Sequence, residues 1–290
     1  MPRTRSGERE RAIPLGHALV LGILEGPTER LPISSSGHLT LLPWLLRWDW
    51  SDVDEELRKA FEVTLHCGAA AALAISLHDE LAPRTVRRCA LLGLSVAPAA
   101  LLGYLFERPI ERWLGTPPTV AVGLLVGGLA LRCSDNAPQA RGQDDASPRD
   151  ALWIGLAQAS ALFPGVSRSG ATLAAARIRG FKRADAQRLS RELALPVIVG
   201  AAVLKGARLR ARRLPPAARA PFAIGALASF TSTLASRPLL RLTDADRALT
   251  PYAGYRIALA AAVLARSRST TGRPTLRAAS RALRRGRARR

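Results

Sequence analysis

Residues 18–37 read ALVLGILEGPTERLPISSSG, and residues 151–170 read ALWIGLAQASALFPGVSRSG. The two segments align without a gap at an offset of 133 positions, and six of the twenty paired residues are identical. Both end in Ser-x-Ser-Gly, after an apolar run that is interrupted by proline. Self-similarity at a fixed spacing is typical of internal duplication, so the sequence predicts two halves of similar structure.

We expect the halves to span about 12–132 and 150–266, and together to form a single membrane domain, 1–266. The segment RCSDNAPQARGQDDASPRD, residues 132–150, is polar and rich in turn formers, so it is predicted to join the halves. Residues 267–290 are rich in arginine and are expected to form a disordered tail.

Long uncharged stretches indicate a membrane protein. A bilayer span needs about 20 apolar residues, whereas a soluble helix keeps one polar face. Four stretches of 17 to 19 residues lack Asp, Glu, Lys and Arg: 89–106, 113–131, 151–167 and 220–236. The sequence therefore predicts an all-α, polytopic integral membrane protein with about six to eight passes. The alternative is a soluble alanine-rich α-solenoid, but the short repeat that such a fold needs is absent.

The apolar run of each half is interrupted by proline and then by serine and glycine. Irregular backbone at membrane depth is tolerated only where protein buries it or water reaches it. In duplicated membrane proteins, broken helices meet near the midplane and form the binding site there. We therefore expect two inverted-topology repeats whose broken or re-entrant helices meet at a mid-membrane site.

The formal net charge of +21 raises the question of a nucleic-acid partner. The basic residues lie between apolar segments rather than on one patch, and a nucleic-acid surface needs such a patch. Arginine outnumbers lysine 40 to 3, which is typical of a GC-rich genome. We expect no nucleic-acid partner and a lipid bilayer as the surroundings.

Glu25 and Glu29 lie four residues apart in an apolar segment, so they share one helix face. Carboxylates inside a membrane usually face a polar cavity, and two adjacent ones need a shared proton, an arginine or a cation. Mg²⁺ and Ca²⁺ favour such oxygen ligands. A divalent-cation site on Glu25 and Glu29 is one interpretation, and a solvated helix end at the bilayer surface is the other.

The segment LPISSSGHL, residues 31–39, is a candidate anion site. Pro32 is predicted to end a helix, and Gly37 is predicted to permit a tight reversal. Hydroxyls and backbone N–H groups at the start of the next helix can hold an anion. His38 is available beside them as an acid or a base.

The segment FPGVSRSGAT, residues 163–172, is its counterpart in the second half. Arg168 stands directly after an uncharged run, and its planar guanidinium suits a phosphate; the alternative is that it reaches the lipid headgroups. If the halves pack against each other, Arg168 faces the carboxylates, serines and histidine of the first half. Together these groups would form a site for a phosphate-bearing lipid.

Histidine-dependent lipid phosphatases also contain Ser-Gly-His and Ser-Arg pairs, but they need a nucleophilic histidine shortly after the arginine. The histidines of this chain are at positions 17, 38, 66 and 78, so the sequence argues against that class.

EGPTERLPISSSGHL (25–39) and PGVSRSGAT (164–172) resemble the two signature regions of the bacterial undecaprenyl-diphosphatase family, which is known for bacitracin resistance. AFEVTLHCGAAAALAI (60–75) and YRIALA (255–260) are similar to two further family segments, so the resemblance covers most of residues 15–265. It implies a multi-pass protein of the bacterial plasma membrane. Such a protein hydrolyses undecaprenyl diphosphate to undecaprenyl phosphate and inorganic phosphate, which recycles the carrier lipid for cell-wall synthesis.

The resemblance also implies roles for individual residues. Glu25 and Glu29 would hold Mg²⁺ or Ca²⁺ or transfer protons, Arg168 would bind the diphosphate, and Ser35 and His38 would be the reactive pair. The other predicted substrate-binding residues surround these groups: Ser34, Ser36, Gly37, Ser167, Ser169 and Thr172.

Several alternatives stay open. Ser35 could attack the terminal phosphorus, or a water molecule held by the cation could attack while the serines position the phosphate. A polyprenyl-phosphate transporter built on the same inverted-repeat fold is the alternative function, and a homodimer is one of the open oligomeric states. Three residues depart from the family pattern: His66 replaces a common glutamine, Pro27 stands where leucine is more common, and Arg30, which could pair with Glu29, replaces an apolar or aromatic residue.

Overall fold

The computed structural model describes residues 12–78, 85–209, 215–241 and 248–271. Within these residues the chain forms ten α-helices and no β-strand, which confirms the predicted all-α class. The helices of the first half are α1 (Leu15–Arg30), α2 (Ser35–Leu45), α3 (Glu55–Ser76), α4 (Val86–Leu114) and α5 (Pro117–Asp135). The helices of the second half are α6 (Pro148–Ala159), α7 (Arg168–Ile178), α8 (Arg183–Leu209), α9 (Arg219–Ala235) and α10 (Thr250–Thr271).

Four helices of the first half begin 133 positions before their counterparts in the second half, which is the offset of the sequence repeat. The paired first residues are Leu15 and Pro148, Ser35 and Arg168, Val86 and Arg219, and Pro117 and Thr250. Helices α2 and α7 also have the same length, 11 residues. The local sequence similarity therefore coincides with a similarity of helix boundaries along most of the chain.

The outward faces of α1 and α6 are apolar at equivalent positions. Leu19 and Leu152 are 45% and 44% exposed, and Ile23 and Leu156 are 52% and 53% exposed. In the part of the chain that the structure describes, two helical segments combine the length and the hydropathy needed to cross a bilayer, Val86–Phe106 and Pro117–Asp135. Apolar surface of this kind is typical of a helical membrane protein.

Both breaks predicted from proline are present. Helix α1 ends at Arg30, two residues before Pro32, because a residue that precedes proline is disfavoured in the helical region. The uncharged run 151–167 is not one straight helix, since α6 ends at Ala159 and the chain then turns through Gly165, whose φ is +93°. Each half thus places a turn between two short helices.

The side chain of Arg256, in α10, hydrogen-bonds to the turns at both helix breaks. This side chain is fully buried. Nη1 donates to the carbonyl oxygen of Pro32 at 3.3 Å, and Nη2 donates to those of Gly165 and Val166 at 3.1 and 2.6 Å. Since buried carbonyl groups need donors, this one guanidinium holds both turns in place.

The predicted connector, 132–150, packs against the start of α6 and against the residues that follow the end of α7. Asp150 is buried and binds Arg141 at 2.7 Å and Arg179 at 2.6 Å. Burial alone would raise the pKa of the Asp150 carboxyl, but Arg141, Ser147 and Arg179 together hold that pKa below its ordinary value. At the other end of the chain, α10 continues to Thr271, and the remainder of the predicted tail lies outside the described residues.

Candidate active site

Ser34 and Ser167 start the two short helices that carry the site. Both are N-cap residues, and both have a left-handed backbone, with φ of 77° and 72°. The Ser34 hydroxyl accepts from the N–H of Gly37 at 3.3 Å, and the Ser167 hydroxyl accepts from the N–H of Gly170 at 3.1 Å. Left-handed non-glycine residues are strained and cluster at functional sites.

The predicted role of Gly37 is wrong in one respect. The left-handed residue of the reversal is Ser34, whereas Gly37 lies in the first turn of α2. A Cβ atom on Gly37 would lie 3.1 Å from the Ser34 hydroxyl and 3.6 Å from Cα of Gly165. A side chain at Gly37 would thus crowd the hydroxyl that caps α2, whereas its distance to Gly165 is an ordinary van der Waals contact.

Glu29 is the centre of the site. Its Oε2 accepts a hydrogen bond of 2.7 Å from the Ser35 hydroxyl, and its Oε1 lies 2.8 Å from Nη2 of Arg168. Ser35 and Arg168 are the first residues of α2 and α7. The structure thus brings a carboxylate, a hydroxyl and a guanidinium from both halves together, as the repeat led us to expect.

Arg30 does not pair with Glu29, contrary to the sequence expectation. Its Nε donates to the carbonyl oxygen of Thr233, and its Nη2 donates to the hydroxyl of Ser76, both at 2.8 Å. Because Arg30 is directed to α9 and α3, the negative charge of Glu29 is balanced by Arg168.

Residues of α7 and α8 orient Arg168. Its Nη1 donates to the carbonyl oxygen of Ser190 at 3.3 Å. The hydroxyls of Thr172 and Ser190 lie 2.7 Å apart, and Thr172 also donates to the carbonyl oxygen of Arg168 at 3.0 Å. Thr172 is 1% exposed. It therefore supports the helix turn that carries Arg168.

The remaining predicted serines form two matched pairs. The hydroxyls of Ser34 and Ser36 are 3.5 Å apart, and those of Ser167 and Ser169 are 3.2 Å apart. Each pair stands at a helix N-terminus, where backbone N–H groups favour negative charge. An adjoining cavity is lined by Glu29, Pro32, Arg168, Ser169, Gln187 and Ser190, among others.

His38 has two partners that fix its tautomer. Nδ1 lies 2.7 Å from the carbonyl oxygen of Ser34, and Nε2 lies 2.6 Å from the hydroxyl of Tyr255. A carbonyl oxygen only accepts, so Nδ1 carries the proton and Nε2 of the neutral ring accepts from Tyr255. The Ser35 hydroxyl hydrogen-bonds to Glu29 rather than to His38.

Glu25 lies beside Glu29 and is paired with a histidine. Its side chain is fully buried, and its Oε1 lies 2.6 Å from Nδ1 of His66. Neither oxygen of this carboxylate has a hydrogen bond of regular geometry among the described residues, although Oε1 is in close contact with the His66 ring. Glu25, Glu29 and His66 each offer one ligand atom, and these three atoms lie within 4.8 Å of one another. This donor set can hold a metal ion.

Sequence reasoning did not predict His66, Tyr255, Ser190 or Arg256 as parts of the site. Tyr255 and Arg256 had a signal, since a Tyr-Arg pair in an apolar helix needs polar partners. His66 had one signal, its place in the family-like segment 60–75, whereas Ser190 had none, because only the packing of α8 brings it to the site.

The fold and the site define a helical membrane protein with a carboxylate–serine–arginine centre that suits a phosphate ester. The family model for bacitracin resistance protein BacA matches residues 18–262. The undecaprenyl-diphosphatase of Geobacter sulfurreducens is 39% identical over 267 residues, which cover 86% of this chain and 97% of that protein. The undecaprenyl-diphosphatase of Burkholderia mallei is 39% identical over 265 residues, which cover 85% and 93%. The chain belongs to the BacA family, as its two signature segments predicted.

Proposed function

We propose that this chain is a phosphatase that hydrolyses undecaprenyl diphosphate to undecaprenyl phosphate and inorganic phosphate, and so recycles the lipid carrier of cell-wall precursors. The observation that carries the proposal is the shared carboxylate: Glu29 accepts a hydrogen bond from Ser35 and pairs with Arg168. This arrangement supports the roles of base for Glu29, nucleophile for Ser35 and phosphate-binding cation for Arg168. The relatives named undecaprenyl-diphosphatase support the choice of substrate.

Ser35 is the proposed nucleophile, and Glu29 is its base. The Ser35 oxygen forms a bond to the terminal phosphorus while the bond from phosphorus to the bridging oxygen breaks, and undecaprenyl phosphate leaves. The hydroxyl proton passes to Glu29 over the 2.7 Å hydrogen bond. A water molecule then attacks the phosphoserine, the bond from phosphorus to the Ser35 oxygen breaks, Glu29 returns its proton to that oxygen, and inorganic phosphate leaves with both protons of the water.

Arg168 and the two helix N-termini are proposed to bind the diphosphate. The guanidinium is held by Ser190 on one side and by Glu29 on the other. Nη2 of Arg168 already points to Glu29, and Glu29 is hydrogen-bonded to Ser35. A terminal phosphate bound by Arg168 would therefore lie next to Ser35. The N-terminal N–H groups of α2 and α7, together with Ser34, Ser36, Ser167 and Ser169, favour the phosphate charge.

His38 is proposed to maintain the N-terminus of α2. Its Nδ1 hydrogen bond to the Ser34 carbonyl holds the strained turn that precedes Ser35, and Tyr255 fixes the other side of the ring. Proton transfer is the second proposed role of His38, since its Nε2 already forms a hydrogen bond with the Tyr255 hydroxyl.

A divalent cation, Mg²⁺ or Ca²⁺, fits the first-half carboxylates. The buried, unpartnered Oε2 of Glu25 needs a positive partner, and carboxylate oxygens suit hard cations. Glu25 and Glu29 would hold the ion. When bound, it would neutralise charge on the diphosphate.

We propose that the chain crosses the bacterial plasma membrane several times as two inverted-topology repeats, with the broken helices meeting at membrane depth. Three observations support this arrangement: the common offset of helix starts, the contact between the breaks at Gly37 and Gly165, and the apolar outer faces of α1 and α6. A site inside the bilayer would receive a substrate whose tail is lipid without removing that tail from the membrane.

Release of inorganic phosphate from a short-chain polyprenyl diphosphate by the purified chain in detergent tests the proposed function. We expect release in the presence of a divalent cation and loss of release in Ser35→Ala. A chain that releases no phosphate but flips a polyprenyl phosphate in liposomes would contradict the phosphatase proposal and support the transporter alternative.

A further inference from the structure

We infer that Nδ1 of His66 is a third protein ligand of the cation site, so that the site binds a first-row transition ion, Zn²⁺ or Co²⁺, more tightly than Mg²⁺ or Ca²⁺. This inference rests on the proposed cation site of Glu25 and Glu29. It assigns a role to a histidine outside the Ser35–Glu29–Arg168 group.

The position of the His66 ring supports this role. Its Nδ1 lies 2.6 Å from Oε1 of Glu25, and the three donor atoms of Glu25, Glu29 and His66 lie within 4.8 Å of one another. Bonds from zinc to nitrogen or oxygen are about 2.0–2.2 Å, so one ion joins donor atoms up to about 4 Å apart. Because the three atoms lie within 4.8 Å, a rotation of these side chains toward one another would place all three on one ion.

The burial of Glu25 points to a charged ligand. Its side chain is 0% exposed, while that of His66 is 28% exposed. Oε2 of Glu25 accepts no hydrogen bond from the described residues. A buried carboxylate oxygen without a partner is costly, and an ion bound between Glu25 and Glu29 would satisfy it.

The chemistry of the donors selects the ion. Mg²⁺ and Ca²⁺ prefer oxygen ligands, whereas imidazole nitrogen suits Zn²⁺ and other first-row ions. Two carboxylates and one imidazole make three protein ligands, which is the number found in catalytic zinc sites that leave one position open. An open position is where a phosphate oxygen of the substrate would bind.

Titration of the purified full-length chain with Co²⁺, followed by its visible absorption, tests this inference without measuring activity. We expect saturable binding that Zn²⁺ reverses, and that Mg²⁺ or Ca²⁺ reverses only at about 100-fold higher concentration. His66→Gln should weaken Co²⁺ binding by at least about 10-fold, because one of three protein ligands is lost. His78→Gln, the same change at an exposed histidine after α3, should leave binding unchanged.

Pulsed electron paramagnetic resonance of the Cu²⁺-loaded wild-type chain gives a second test that needs no variant. We expect coupling to an imidazole nitrogen. Equal Co²⁺ affinity in the wild type and His66→Gln, or no nitrogen coupling, would overturn the role of His66, while Mg²⁺-dependent phosphate release would still support the Glu25–Glu29 site. Phosphate release that needs no divalent ion, together with no Co²⁺ binding, would overturn both.

Discussion

Ser35 and Arg168 occupy equivalent positions in the two halves, and both bind the same carboxylate. Each is the first residue after a left-handed serine N-cap, and they contact the two oxygens of Glu29 at 2.7 and 2.8 Å. The duplication thus gives both halves the same backbone arrangement, a left-handed serine N-cap followed by a short helix. The sequences of the halves then place a nucleophile at one copy and a phosphate-binding cation at the other.

Replacement of Arg168 by lysine should lower kcat/KM for a polyprenyl diphosphate by about 100-fold. Lysine keeps the charge but lacks the planar fork that binds Ser190 and Glu29 together. Steady-state phosphate release measures the effect. Arg179→Lys is the matched control, since Arg179 binds Asp150 away from the site; an equal loss in both variants would show that Arg168 has no special role.

Removal of the Tyr255 hydroxyl in Tyr255→Phe should lower kcat by about 2- to 10-fold, which corresponds to one hydrogen bond of about 0.5–1.5 kcal/mol. The phenyl ring can still stack on His38, whose ring centroid is 5.6 Å away, so the midpoint of thermal unfolding should change little. A variant with wild-type kcat would argue that the Tyr255–His38 hydrogen bond does not support the reaction.

Arg256→Met should reduce the free energy of unfolding by at least about 3 kcal/mol. The substitution leaves the carbonyl groups of Pro32, Gly165 and Val166 without this donor, and each unsatisfied buried group costs about 1–3 kcal/mol. Denaturation in detergent measures the change. Arg219→Met, at an exposed position, is the control, and similar stability of the two variants would contradict the role given to Arg256.

Asp150 should make the stability of the chain depend on pH in the acid range. Its pKa in the folded chain is lower than in the unfolded chain, so it stabilises the fold fully above the unfolded pKa of about 3.9. That contribution is lost as the pH falls from there through the lower folded pKa. The difference in unfolding midpoint between the wild type and Asp150→Asn should therefore be constant above about pH 5 and shrink below about pH 4. A difference that grows on acidification would contradict this assignment.

Much of the fold and part of the site could be predicted from local sequence. Proline and the Ser-x-Ser-Gly pattern act on the backbone nearby, so the breaks after α1 and α6 lie where they were expected. The meeting of Arg168 with Glu29 followed from the repeat, because equivalent breaks in packed halves come together.

The rest depends on packing between distant helices. His66 is on α3 and Ser190 is on α8, and no spacing in the sequence shows that these side chains reach Glu25 and Arg168. The reversal was assigned to Gly37 because glycine is the usual left-handed residue. Ser34 takes that conformation instead, and its hydroxyl caps α2.

The most direct measurement of the central claim is phosphate release by Ser35→Ala, combined with a search for phosphoserine in the wild type. If Ser35 is the nucleophile and Glu29 its base, Ser35→Ala and Glu29→Gln should each lower kcat by about 1,000-fold or more, and rapid quenching of the wild type with labelled diphosphate should trap phosphate on Ser35. Retained turnover in Ser35→Ala, with no label on the protein, would contradict the account and favour direct attack by water.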